Sequence, residues 1–110
     1  LPHTKEISDV TKQIFIETLN RTETRILSAP DDAFKNDQNE TDPTKWKYMS
    51  TQWELKMTEE KFKVFAKKYY ELVEEMVTLC ERDKDNPAAK PYYILSMAFQ
   101  LDKPFFQQEE

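Results

Sequence analysis

Thr58-Glu59-Glu60-Lys61-Phe62-Lys63-Val64-Phe65-Ala66-Lys67-Lys68-Tyr69-Tyr70-Glu71-Leu72 decides how the rest of this sequence is read. Phe62, Phe65, Tyr69, Leu72, Met76 and Leu79 recur at alternating separations of three and four residues, the period of an α-helix. Ala66, Val73 and Cys80 widen that stripe into a band expected to face a core. Thr58 is a favourable N-cap, because its hydroxyl can accept from a free amide of the first turn. Glu59 and Glu60 place negative charge where the helix dipole favours it. Lys61 stands where a capping box needs Glu or Gln, so the reciprocal half of that motif is missing. The helix is expected to run to about Arg82 and to stop at Asp83-Lys84-Asp85-Asn86-Pro87, with Asn86 as the turn residue.

On either side of this helix the period shifts towards two. Over 45–56, Met49, Thr51, Trp53 and Leu55 fall on one side and Trp46, Tyr48, Ser50, Gln52 and Glu54 on the other. Over 92–101, Tyr93, Leu95, Met97, Phe99 and Leu101 make a wholly apolar face opposite Tyr92, Ile94, Ser96, Ala98 and Gln100. Aromatic and β-branched content supports two strands, the second ended by Lys103-Pro104. Further upstream, Ile7, Val10 and Ile14 repeat at helical spacing, with Phe15, Leu19 and Ile26 as an adjoining stripe. A first helix over about 4–27 follows, ended at Ser28-Ala29-Pro30 because the residue before proline is disfavoured in helical conformation. Its apolar arc is wide enough to touch the domain's own core and one further surface. Between them, residues 31–44 are dominated by Asp, Asn, Thr and Lys, with only Ala33 and Phe34 as anchors, and read as a mobile loop.

The expected fold is therefore α+β: helix, loop, strand, long amphipathic helix, strand. Two strands alone make a marginal sheet, so a second copy of the chain is expected to complete it, making a homodimer. All 110 residues form one domain, with 1–30 as linker and dimer helix, 31–44 as loop and 45–104 as strand-helix-strand core. The start, Leu1-Pro2-His3-Thr4, lacks an initiating Met, which is expected of a C-terminal piece of a longer protein.

Composition removes whole classes of chemistry. There is no glycine, where average usage would give roughly eight. Phosphate-cradling loops, dinucleotide fingerprints and nucleophile elbows all need glycine for close backbone approach, so none is present. A formal charge of −5 argues against tracking nucleic-acid phosphates. One Cys and one His supply neither an internal disulfide nor a metal set, and no cofactor is implied. No apolar run of about 18 residues is present to span a membrane, and Leu1-Pro2-His3-Thr4, with neither a basic n-region nor an apolar h-region, is not expected to be a signal peptide. Asn20-Arg21-Thr22 and Asn39-Glu40-Thr41 would be glycosylation sequons in a secreted protein, but an unpaired Cys fits a reducing, cytoplasmic setting better.

Individual side chains yield little catalytic chemistry. Cys80 lies on the apolar face and reads as a small buried hydrophobe before it reads as a reactive thiol. His3 sits near a fraying end. Glu71, Glu74 and Glu75 have no nucleophile or base nearby in sequence and read as a solvated face, and Lys61, Lys63, Lys67 and Lys68 are offset by neighbouring acids. No catalytic residue is assigned and the chain is read as non-enzymatic. The candidate effector or interface face is Trp46, Tyr48, Ser50 and Gln52 together with Tyr92, Ile94 and Ser96. Aromatics mixed with small polar groups line small-molecule pockets, and they are equally enriched at interfaces.

Trp53-Glu54-Leu55-Lys56-Met57-Thr58-Glu59-Glu60 and Asn86-Pro87-Ala88-Ala89-Lys90-Pro91-Tyr92-Tyr93 resemble the region that follows the winged helix in ArsR-type bacterial transcriptional regulators. The similarity covers roughly 53–104 and is looser before that. It implies a C-terminal sensor and dimerisation domain that reaches DNA only through an N-terminal winged helix absent here. It also implies a possible small-molecule effector. The metal-sensing members' Cys and His sets are missing, so metal sensing is not implied. The alternative is an acidic protein-protein interaction module unrelated to transcription.

Overall fold

The structure, a computed structural model, describes residues 2–36 and 39–103. The chain divides into two compact units, Leu1–Thr51 and Gln52–Glu110.

The first unit begins with α1, Pro2–Ser28. Three threonines on it turn their hydroxyls back onto carbonyls four residues earlier: Thr11 to Ile7 at 3.0 Å, Thr18 to Ile14 at 2.9 Å and Thr22 to Thr18 at 2.8 Å. At 100° per residue these threonines lie between the Ile7/Val10/Ile14 stripe and the Phe15/Leu19/Ile26 stripe. With each hydroxyl bonded inside the helix, the threonines present mainly methyl groups, and the two stripes merge into one arc. Phe15, Thr18 and Thr22 are half-buried, while Ile7, Val10, Ile14, Leu19 and Ile26 are exposed. Pro30 stops the helix in extended backbone (φ −61°, ψ 140°). Two single 3-10 turns follow, Asp31–Phe34 and Pro43–Lys45.

The second unit is built on α2, Glu59–Cys80. Thr58 caps it as its sequence position requires, its Oγ1 accepting from the Lys61 amide at 3.2 Å. Phe62, Phe65 and Tyr69 form a ladder along one side, with ring centroids 6.3 and 6.2 Å apart. The helix ends by tightening into a 3-10 turn, Glu81–Asp83. Asn86 then closes the reversal: its amide donates to Asp83 O at 3.0 Å, and its side-chain Oδ1 accepts from Ala88 N at 2.9 Å. No described residue has positive φ, so the chain turns through 3-10 and Asx geometry, which needs no glycine.

The expected α+β class is not what forms. Among the described residues there is no strand and no sheet; the regular structure is helical. Apart from Lys45, the last residue of the second 3-10 turn, both segments read as strands are non-helical, but neither joins a ladder. Alternation of apolar and polar residues reports where an extended chain points its side chains, and pairing needs a second extended backbone in register. Residues 92–101 instead return along α2. Tyr69 lies about 16 Å before the helix C-terminus, and its hydroxyl bonds the hydroxyl of Ser96. The alternation survives in part as a difference in cover: Tyr92 and Ile94 are 77% and 80% exposed, Leu95 is 38% exposed and Met97 half-buried, but Phe99 is 64% exposed. Backbone pairing in 46–51 is likewise replaced, here by a side chain. The Asn36 amide accepts from Lys47 N at 2.7 Å and donates to Tyr48 O at 3.3 Å, as a neighbouring peptide group would.

The expected core does not close either. No described residue is buried. Of the band Phe62, Phe65, Tyr69, Leu72 and Met76, only Tyr69 is half-buried. Cys80 is exposed, because its part of the helix has no layer packed on it. The His3 side chain, Asp37 and Gln38 within the loop, Pro104, and Phe105 and Phe106 before the acidic tail lie outside the described residues.

Candidate functional site

Residues 31–51 are held together by polar side chains acting on backbone. Asp42 caps the second 3-10 turn, its Oδ1 accepting from Thr44 N at 3.0 Å and from Thr44 Oγ1 at 2.8 Å. Those two bonds, the hydroxyl first, stabilise the ionised form and hold the Asp42 carboxyl below its ordinary value of 3.8. Glu40 is stitched in twice: its Oε2 accepts from Asp42 N at 3.1 Å, and its carbonyl accepts from the Trp46 indole Nε1 at 3.1 Å. Lys47 reaches back to Asp32 at 3.3 Å. The Phe34 and Tyr48 rings meet at 5.9 Å with an interplanar angle of 48°. Phe34 thus anchors the loop as its sequence position allows, and Ala33 beside it is half-buried.

Beside these bonds lies a half-open depression of about 390 Å³ lined by Asn36, Glu40, Trp46, Tyr48 and Met49, with Ser50 and Thr51 completing its wall. Its size falls within the range of small-ligand pockets, and its wall mixes aromatic, thioether, amide, hydroxyl and carboxylate groups.

The structure brings together three of the seven side chains expected to form one face: Trp46, Tyr48 and Ser50 line this cavity. Gln52, Tyr92, Ile94 and Ser96 belong to the second unit. There Tyr92 and Ile94 stand outward on the return segment, and Ser96 is engaged with Tyr69. Asn36 and Glu40 escaped the sequence reading because periodicity cannot see a loop whose contacts are side chain to backbone. The signal available was Asp42-Pro43-Thr44, an Asx cap with proline at the first turn position, which marks a fixed corner.

Elsewhere, Glu71, Glu74 and Glu75 lie with Thr78 and Leu79 on one open face of α2. Lys63 pairs with Glu59 at 3.4 Å as an exposed i,i+4 bridge. No group of three or more His, Cys, Asp or Glu able to hold a metal occurs among the described residues, and no described helix is long and apolar enough to cross a membrane. No protein-family description, curated protein or solved structure matches the chain.

Proposed function

We propose that this chain is a non-enzymatic regulatory module, the self-associating and effector-sensing C-terminal part of a DNA-binding transcriptional regulator of the ArsR type. The observation that carries the self-association is the exposed arc of α1. Ile7, Val10, Ile14, Leu19 and Ile26 are each about half exposed, and the threonines between them have their hydroxyls satisfied inside the helix. Covering the exposed half of one such side chain contributes about 1 kcal/mol, so a matching helix would gain several. A second copy of the same arc is self-complementary in the sense a two-fold interface requires.

The resemblance of 53–104 to regions that follow a winged helix supports the link to transcription. DNA contact would fall to a winged helix outside these 110 residues. In this mechanism an effector that prefers one arrangement of the dimer shifts the population between arrangements. The shift changes the spacing of the two DNA-reading helices and hence operator affinity.

Light scattering of the 110-residue chain over a concentration series tests self-association. A dimer mass is expected, and Ile14→Asp, which puts a charge in the middle of the arc, is expected to return it to monomer. A monomer at all concentrations, or a dimer indifferent to Ile14→Asp, overturns the assignment to α1. A basic helix-turn-helix encoded upstream in the same gene is the expectation that ties the module to transcription; an unrelated upstream domain removes that link.

A further inference from the structure

We propose that the cavity of the 31–51 loop receives a small organic cation with an apolar body, a substituted ammonium compound of about the size of choline. The inference rests on the effector-sensing half of the function proposed above and names the chemistry of the effector.

Charge selects the class. Among the described residues, Glu40 is the only carboxylate lining the cavity, and no Lys or Arg lines it. The nearby Lys47 ammonium is tied to Asp32. Over the whole loop five carboxylates outnumber three lysines, so the local field favours a cation. Glu40 uses one oxygen, Oε2, to accept from Asp42 N. Its Oε1 takes no hydrogen bond or ion pair among the described residues.

The nitrogen donors point to the same class. An anionic ligand needs free N–H groups or cations; among the described residues the wall offers no cation, and its side-chain nitrogens leave one Asn36 N–H uncommitted. Asn36 Nδ2 donates to Tyr48 O and Trp46 Nε1 donates to Glu40 O. The rest of the wall sets the Trp46, Tyr48 and Met49 side chains beside Ser50 and Thr51. Aromatic faces attract a cation through their quadrupole, and Trp does so best. A poorly hydrated ammonium carrying methyl groups suits both halves of this wall, since its charge faces the carboxylate and its carbons face the rings. A compact inorganic cation would leave the aromatic half unused, and no group of three or more His, Cys, Asp or Glu is assembled for one among the described residues.

The test is an NMR titration of the intact 110-residue chain with two probes, choline and its neutral carbon isostere 3,3-dimethylbutan-1-ol. The Trp46 indole N–H signal is identified by its survival in Trp53→Phe. Choline is expected to shift that signal saturably, and the isostere is expected to bind about fivefold more weakly or less. Glu40→Gln keeps an oxygen to accept from Asp42 N while removing the charge, and is expected to weaken choline about fivefold with no change for the isostere. Equal binding of the two probes, no saturable shift with choline, or undiminished choline affinity in Glu40→Gln each overturns the proposal. The two proposals fail separately. A dimer that ignores choline loses only the ligand class, and a monomer that binds choline selectively loses only self-association.

Discussion

Asp42 shows how one residue positions a site from a distance in sequence. By capping the Pro43–Lys45 turn it sets the direction in which Trp46 leaves that turn, and its amide anchors the Glu40 carboxylate. Its carboxyl is held below 3.8, chiefly by the Thr44 hydroxyl and then by the Thr44 amide. The sign follows from that depression. The bonds contribute at any pH above the ordinary carboxylate value and are lost as pH falls through the lower folded value. An NMR pH titration should therefore place the Asp42 midpoint below 3.8. Thr44→Val, which removes the hydroxyl and leaves the amide, should move the midpoint part of the way back. A midpoint unaffected by Thr44→Val would mean that the hydroxyl bond does not form in solution. Thr58 was legible from sequence in a way Asp42 was not. It opens a long periodic helix whose start can be counted, whereas the Asp42 cap serves a turn of three residues with no period.

At the scale of elements, α2 and the segment that returns along it depend on each other unequally. The helix has its own cap, its own aromatic ladder and an acidic first turn. Thr58→Ala should cost it about 1 kcal/mol, read as a lower midpoint in a denaturant melt followed by far-ultraviolet circular dichroism. The return segment forms no strand or sheet, and one polar link to the helix is the Tyr69–Ser96 hydroxyl pair. Tyr69→Phe should therefore raise the fast backbone mobility of 92–101, read as lower heteronuclear NOE values there, while leaving α2 nearly unchanged, because local opening follows local contacts. Equal loosening of both would show that the segment is part of the helix's own cooperative unit. Both helices and their stops could be read in advance, since each has a period, a cap or a proline. The two strands could not. Period two was present in 92–101, and the structure spends it on orienting Leu95 and Met97 towards lesser exposure while Tyr92 and Ile94 stand out.

At the scale of the whole molecule, the governing fact is that no described residue is buried although apolar stripes run along both helices. If a second copy covers the α1 arc, stability becomes a function of protomer concentration. Melts of the chain across a hundredfold range, about 1 to 100 μM, are then expected to show a rising midpoint, by mass action on the folded dimer. The Ile14→Asp variant should melt at one temperature throughout. A concentration-independent midpoint for the unaltered chain would go against a stable dimer.

The amino-acid sequence by itself determined the two helices, the Thr58 cap, the break at Pro30 and the Asn86 turn, because each rests on contacts within a few residues along the chain. It also excluded glycine-dependent chemistry, through residues that are simply not there. Only the tertiary structure decided that the alternating segments stay unpaired, that Asn36 stands in for a neighbouring strand, and that Glu40, Trp46 and Tyr48 share one cavity. The Asn36 bonds join residues 11 and 12 positions apart, and the link between the return segment and α2 joins residues 27 apart. Over such separations, local period and propensity carry no record of which groups meet.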